Sequence, residues 1–157
     1  MKIQNEQQMM EIVNDYLDYV NTEANKSINY HFPYTVLSHN FEERSVTYGF
    51  KTADWMQNPY GTVHGGLIGT MIDLAMGVTT RAFCGYFTPT VNLSVSYLSP
   101  VPLNDGMIVK TVASRVGGTF IQITAEASVE SSGVLCATAS ATFFCNKKLT
   151  YRNKPVE

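Results

Sequence analysis

The chain has 157 residues, 45% of them hydrophobic and 15% charged, a profile of one globular domain that can bury roughly 70% of its unfolded surface. A formal net charge of −2 and a pI of about 5.9 exclude a global basic field for nucleic acid or an anionic membrane. Three scattered cysteines (Cys84, Cys136, Cys145) make neither a CxxC pair nor a disulfide framework, and neither an apolar run of about 18 residues nor a secretory signal is visible, so a cytoplasmic protein is expected.

Residues 6–22 place Met9, Met10, Ile12, Val13, Tyr16, Leu17 and Val20 at helical spacing, which predicts an amphipathic helix docked on the body. Its polar face is acidic, which argues against a membrane-surface role. The stretch 34–52 alternates loosely and predicts two strands joined near Glu42 and Glu43. After the loop DWMQNPYGT, one long helix is expected from His64 to about Phe83. Four strands are expected after it. In TVNLSVSYL, alternation places Val91, Leu93, Val95 and Tyr97 on one face and Thr90, Asn92, Ser94 and Ser96 on the other. A strand near 106–116 follows SPVPLNDG, and Gly117-Gly118 is expected to supply the positive φ values of a tight hairpin. Ile121, Ile123, Ala125, Ala127 and Val129 alternate strictly, and Ser131-Ser132-Gly133 reads as the next turn. The last strand puts Leu135, Ala137, Ala139, Ala141 and Phe143 on one face, small enough for the central helix to approach closely.

Tight turns between serial strands give antiparallel pairs, and one long helix is too few for a doubly wound parallel sheet. The expected class is α+β, a curved antiparallel sheet wrapped around one long central helix. The chain 1–157 reads as a single domain, with an N-terminal helical extension at 1–28 and a core at 29–148.

The chemistry concentrates in NPYGTVHGGLIGTMID, residues 58–73. Gly65 and Gly66 fall where the long helix begins, and its first amides point outward from a positive dipole end. Glycine there lets a ligand oxygen reach the backbone. Gly65, Gly69, Asp73 and Gly77 recur every fourth residue, forming a small-residue stripe with one carboxylate. An acid in such a stripe needs a partner or a chemical role. From Gly65 to Asp73 is about 12 Å of helix rise. A carboxylate that far along cannot serve an atom held at the amides of its own helix. If amide and acid act on one substrate, two such helices packed antiparallel across a two-fold axis bring each Asp73 to the other's Gly65. A homodimer with two shared sites is the expectation.

Asn58, GTVHGG at 61–66, Asp73 and YLSP at 97–100 together resemble the hotdog-fold acyl-CoA thioesterases, in the branch of the phenylacetate-degradation and thioesterase superfamily member 2 proteins. The spacing N–x5–HGG–x6–D carries the likeness, which spans roughly residues 30–146. The resemblance implies hydrolysis of a small or medium, aliphatic or aromatic, acyl-CoA. It implies that the Gly65 amide contacts the oxyanion while Asn58 and His64 orient or polarise the thioester carbonyl. Asp73 of the opposite subunit is then nucleophile or general base, with Thr90 positioning the water or the acid. No cofactor is expected, coenzyme A being part of the substrate; the implied assembly is a homodimer, or a dimer of dimers. Gly66 is a further substrate-binding candidate. Trp55, Met56 and Tyr60 either wall an acyl pocket or anchor a loop. Arg115, Lys147 and Lys148 either meet coenzyme A phosphates or stay solvated. Arg81 is read as offsetting the helix dipole. No GxSxG elbow supports a serine triad, and His31, His39 and His64 lack metal-ligand spacing. The competing reading is a non-catalytic acyl-CoA-binding regulator of the same fold. A hydratase of the related fold requires a histidine after Asp73, and none occurs.

Overall fold

The computed structural model describes residues 3–22, 27–150, 152, 154 and 155. Helix α1, Glu6–Val20, starts where Asn5 Oδ1 accepts the Gln8 amide at 2.9 Å, and it buries Met9, Ile12, Val13, Leu17 and Val20. This stripe docks α1 on helix α2, Gly65–Cys84. Strands β1 (Tyr34–Asn40) and β2 (Ser45–Lys51) form a hairpin whose turn holds Arg44 at φ 53°. After α2 come β3 (Tyr86–Phe87), β4 (Thr90–Tyr97), β5 (Gly106–Val116), β6 (Phe120–Val129), β7 (Leu135–Phe144) and β8 (Asn146–Thr150). Six strands make one antiparallel sheet in the order β1-β2-β5-β6-β7-β4, curved against α2. The other two, β3 and β8, form a separate ribbon absent from the expected order.

Helix α2 is apolar nearly all round and long enough to span a bilayer, with a mean hydropathy of 1.3, although its sequence has no unbroken apolar run. Within this fold 72% of that window is buried, so the sheet takes up the apolar surface. Gly85, at φ 74°, ends the helix in the left-handed conformation that favours glycine, its amide donating to the Arg81 carbonyl at 2.8 Å. A buried hydroxyl chain fixes the helix to the sheet. Thr111 Oγ1 donates to the Val46 carbonyl (2.8 Å), which leaves Thr79 to donate to Thr111 (2.7 Å) and Tyr48 to Thr79 (2.9 Å).

The predicted alternation of β6 holds: Ile121, Ile123, Ala125, Ala127 and Val129 are all buried. Two faces differ from the sequence pattern, and a bulge causes each. On β4, Thr90 pairs with Phe143 but Asn92 with the adjacent Thr142, leaving Val91 as an extra residue. Thr90 therefore shares the helix-facing side of Leu93, Val95 and Tyr97, while Val91 turns outward. On β7, Ala137 pairs with Ala127 but Leu135 with Ser128, so Cys136 is the extra residue and Leu135 leaves the buried row. Neither Gly117 nor Gly118 has positive φ; Gly61, Gly85 and Gly133 do. Gly117 is required for another reason, because a Cβ there would lie 2.7 Å from the Phe120 carbonyl oxygen.

Candidate functional site

The loop before α2 is organised by Asn58. Its Oδ1 accepts the amides of Tyr60 (2.9 Å) and Thr62 (3.2 Å), and its Nδ2 donates to Thr62 Oγ1 (2.9 Å). The Asn58 side chain is thus engaged within its own turn, which also contains Gly61 at φ 81°. Two backbone bonds then seat the loop: Val63 N–H to the Val101 carbonyl (2.9 Å) and His64 N–H to the Met56 carbonyl (2.8 Å). They deliver His64 to the helix cap, where its Nδ1 accepts the Gly66 amide at 3.0 Å. An acceptor at Nδ1 puts the proton of the neutral ring on Nε2.

This cap separates the two glycines. The Gly66 amide is taken by His64, whereas the Gly65 amide has no partner among the described residues. Tyr97, from the end of β4, lies over both Gly65 and Gly69. A Cβ at Gly65 would be 3.5 Å from its Cζ and one at Gly69 3.3 Å from its Oη. Its hydroxyl donates to the Gly65 carbonyl at 2.9 Å. The small stripe therefore receives an aromatic ring at its upper half. In the sequence Tyr97 stands as a strand residue opening the YLSP motif; its reach over the helix start depends on how the sheet curves.

Asp73 is half-buried, and Thr90 donates to its Oδ1 at 2.9 Å. Its Oδ2 has no partner among the described residues. The Val91 bulge makes this contact: without it, Thr90 would face away from the helix. Gly66, Gly69, Asp73, Thr90, Leu93 and Tyr97 line one cleft of about 590 Å³. Within one chain the free Gly65 amide and the acid stand about 12 Å of helix rise apart.

Other candidates lie elsewhere. Trp55 is 58% exposed, its ring edge-on to Phe32 at 5.5 Å, and Tyr60 is 90% exposed, so neither walls the cleft of its own chain. Met56 is in the core. Arg115 is exposed near the β5–β6 turn, and Lys147 lines a different cavity beside Gly117 and Cys145. His39 bonds Glu6 on the surface at 2.8 Å, and His31 packs against Tyr30. Among the described residues no three His, Cys, Asp or Glu side chains converge. Burial pushes the Cys84 thiol, which contacts Cys145, and the Tyr48 phenol well above their ordinary ranges, both away from the cleft.

A central helix inside a curved antiparallel sheet, with a glycine cap and an acid on the helix, is the hotdog arrangement. The chain belongs to the thioesterase superfamily, whose sequence profile matches residues 60–136. It is 30% identical over 105 residues to the acyl-coenzyme A thioesterase THEM4 of Xenopus laevis, an alignment covering 67% of this chain and 47% of that protein. The chain thus spans about half the length of that relative. Its fold is similar to the E. coli PaaI protein from the phenylacetic acid degradation operon, with a TM-score of 0.75, 14% identity, and 92% of this chain and 96% of that one covered. A Streptococcus mutans protein bound to acetyl CoA is also similar, with a TM-score of 0.66 at 23% identity over 72% of this chain and 88% of that one.

Proposed function

We propose that the protein is an acyl-CoA thioesterase, hydrolysing an acyl-CoA to the free acid and coenzyme A with no further cofactor. One observation carries the reading: α2 presents an unpaired N-terminal amide at Gly65 and, further along, a Thr90-tethered carboxylate at Asp73 in a cleft that begins at Gly66 and Gly69. The similarity to THEM4 and to a fold neighbour holding acetyl CoA supports the substrate class.

The shared site needs two chains, because the single-chain separation is too long for one carbonyl. Two features favour that pairing. The β4 strand ends the sheet with a free edge carrying exposed Val91 and Tyr97, and exposed Leu98 follows directly. An unpaired edge of this kind is a template for a second strand. In addition, the first half of α2 keeps Leu67, Thr70 and Leu74 only partly covered, whereas its second half is buried. Antiparallel joining of two β4 edges sets one chain's Gly65 beside the other's Asp73.

The Gly65 amide then receives the developing oxyanion, the term that dominates in acyl transfer. Asn58 acts at one remove by shaping the turn, and His64 offers Nε2–H from a ring locked at Nδ1. Asp73 either attacks the carbonyl, releasing coenzyme A thiolate and leaving an anhydride for water to cleave, or takes a proton from an attacking water. Both routes consume one water and yield acid and thiol. Single turnover in ¹⁸O-water identifies an anhydride opened at its aspartyl carbonyl, since that route alone leaves a protein oxygen in the first product molecule and ¹⁸O in Asp73.

The test is free-thiol release from a panel of acyl-CoA thioesters. Wild-type protein is expected to turn over at least one, and Asp73→Asn is expected to fold yet lose nearly all turnover. Tight binding of every thioester without thiol release would instead establish a binding regulator.

A further inference from the structure

A second hollow, of about 240 Å³, continues the cleft along α2 and shares Ile28, Asp73, Leu74 and Thr90 with it. Its lining adds Arg81 and Gly77 of α2, Tyr16 of α1 and Phe143 of β7. Asp73, Gly77 and Arg81 are four residues apart on one helix face, so this hollow runs straight on from the acid. The N-terminal helix thereby contributes Tyr16 to the wall of this extension.

Arg81 is an unusual lining residue. Its guanidinium carbon lies 4.5 Å from the Tyr16 ring centroid and 5.2 Å from that of Phe87, held between two aromatic faces. Its Nε is buried without a hydrogen-bond partner, and no carboxylate pairs with it among the described residues. An arginine serving only the helix dipole would keep its head in water. This one folds back towards the acid, its Nη1 lying 3.0 Å from where a Gly77 Cβ would sit. A side chain at 77 would crowd the charged head.

We infer that Arg81 selects acyl groups ending in a carboxylate, so that the substrate class is the coenzyme A thioester of a short dicarboxylic acid. The inference rests on the thioesterase reading. The acyl carbonyl sits at Asp73, the chain lies along Leu74 and Gly77, and the distal carboxylate accepts from the unpaired guanidinium. Asp73 to Gly77 is about 6 Å of rise, which with hydrogen-bond contact at both ends suits acyl chains of about four to six carbons. A neutral chain of equal length covers the guanidinium without offering it an acceptor, so discrimination arises from that desolvation cost.

The experiment compares kcat/KM for succinyl-, glutaryl- and adipyl-CoA with butyryl-, valeryl- and hexanoyl-CoA, paired by carbon number. In wild-type protein at least one dicarboxylyl substrate is expected to exceed its neutral partner by at least about tenfold, as a buried charge-assisted bond implies. In Arg81→Met the ratio is expected to fall to one or below, and in Arg81→Lys to stay above one. Calorimetric titration of wild-type protein with non-hydrolysable thioether analogues of glutaryl- and valeryl-CoA reads the same preference without turnover. Turnover of neutral substrates with no dicarboxylyl preference overturns the Arg81 assignment and leaves the thioesterase reading standing. Absence of all turnover with preferential binding of the glutaryl analogue does the reverse. Equal binding of both analogues with no kcat/KM preference at any of the three chain lengths overturns the assignment.

Discussion

Gly65→Pro separates the amide hydrogen from everything else at the helix tip. The N1 position is where proline is best tolerated, since its amide has no intrahelical partner and its φ is already helical. The preceding residue must be extended, and His64 already is, at φ −62° and ψ 132°. A Cβ at 65 meets Tyr97 Cζ at 3.5 Å, ordinary contact distance. The cap from Gly66 to His64 does not involve the Gly65 amide. Stability is therefore expected to change by less than about 1 kcal/mol, whereas loss of one oxyanion donor lowers kcat by about 100- to 1000-fold. Gly65→Ala keeps the N–H and serves as the control, expected within several-fold of wild type. Thiol release under saturating acyl-CoA reads kcat, with circular dichroism and thermal melting reporting the fold. A folded proline variant with wild-type kcat would refute the role given to this amide.

Thr90→Ala removes the hydroxyl that holds Asp73 Oδ1 and is expected to lower kcat roughly tenfold with little change in KM, because an unheld carboxylate is misoriented; Thr90→Ser should recover most of the loss. Thr79→Val leaves the Tyr48 hydroxyl without its acceptor and should cost about 1–3 kcal/mol. For a chain of this size that lowers Tm by about 3–10 °C, read by calorimetry. Burial raises the Tyr48 phenol above its unfolded value, so the native state binds this proton more tightly than the unfolded state does. Stability from this group is complete below about pH 10 and falls as pH rises beyond it. Tyrosinate absorbance should therefore appear for Tyr48 together with loss of structure at alkaline pH, and Tyr48→Phe should weaken that dependence.

The elements legible in the sequence were those written in side-chain periodicity. The amphipathic stripe of α1, the apolar run of α2 and the alternation of β6 each appear with the expected buried residues. The glycine cap and Asp73 were legible because their residue types are unusual at those places. Bulges were not, since an extra residue at Val91 or Cys136 is a backbone event decided by pairing with a neighbouring strand. Yet the Val91 bulge is what turns Thr90 towards Asp73. Arg81 was misleading for a related reason: its place in the last turn suggests a surface cation, and only the packing of α1 over it reveals a half-buried side chain with its Nε enclosed. The Gly117 turn shows the same limit, because crowding against Phe120, rather than the sign of φ, demands glycine there.

Complementation tests the shared site most directly. Asp73→Asn and Gly65→Pro chains are each expected to be nearly inactive alone. Mixed and reassembled in equal amounts, random pairing makes half the dimers mixed, and each mixed dimer regains one intact site, so about one quarter of wild-type activity should return. Activity no greater than the average of the two parents, in a mixture shown to contain mixed dimers, would contradict the claim that one chain's amide and the other's carboxylate act on a single thioester.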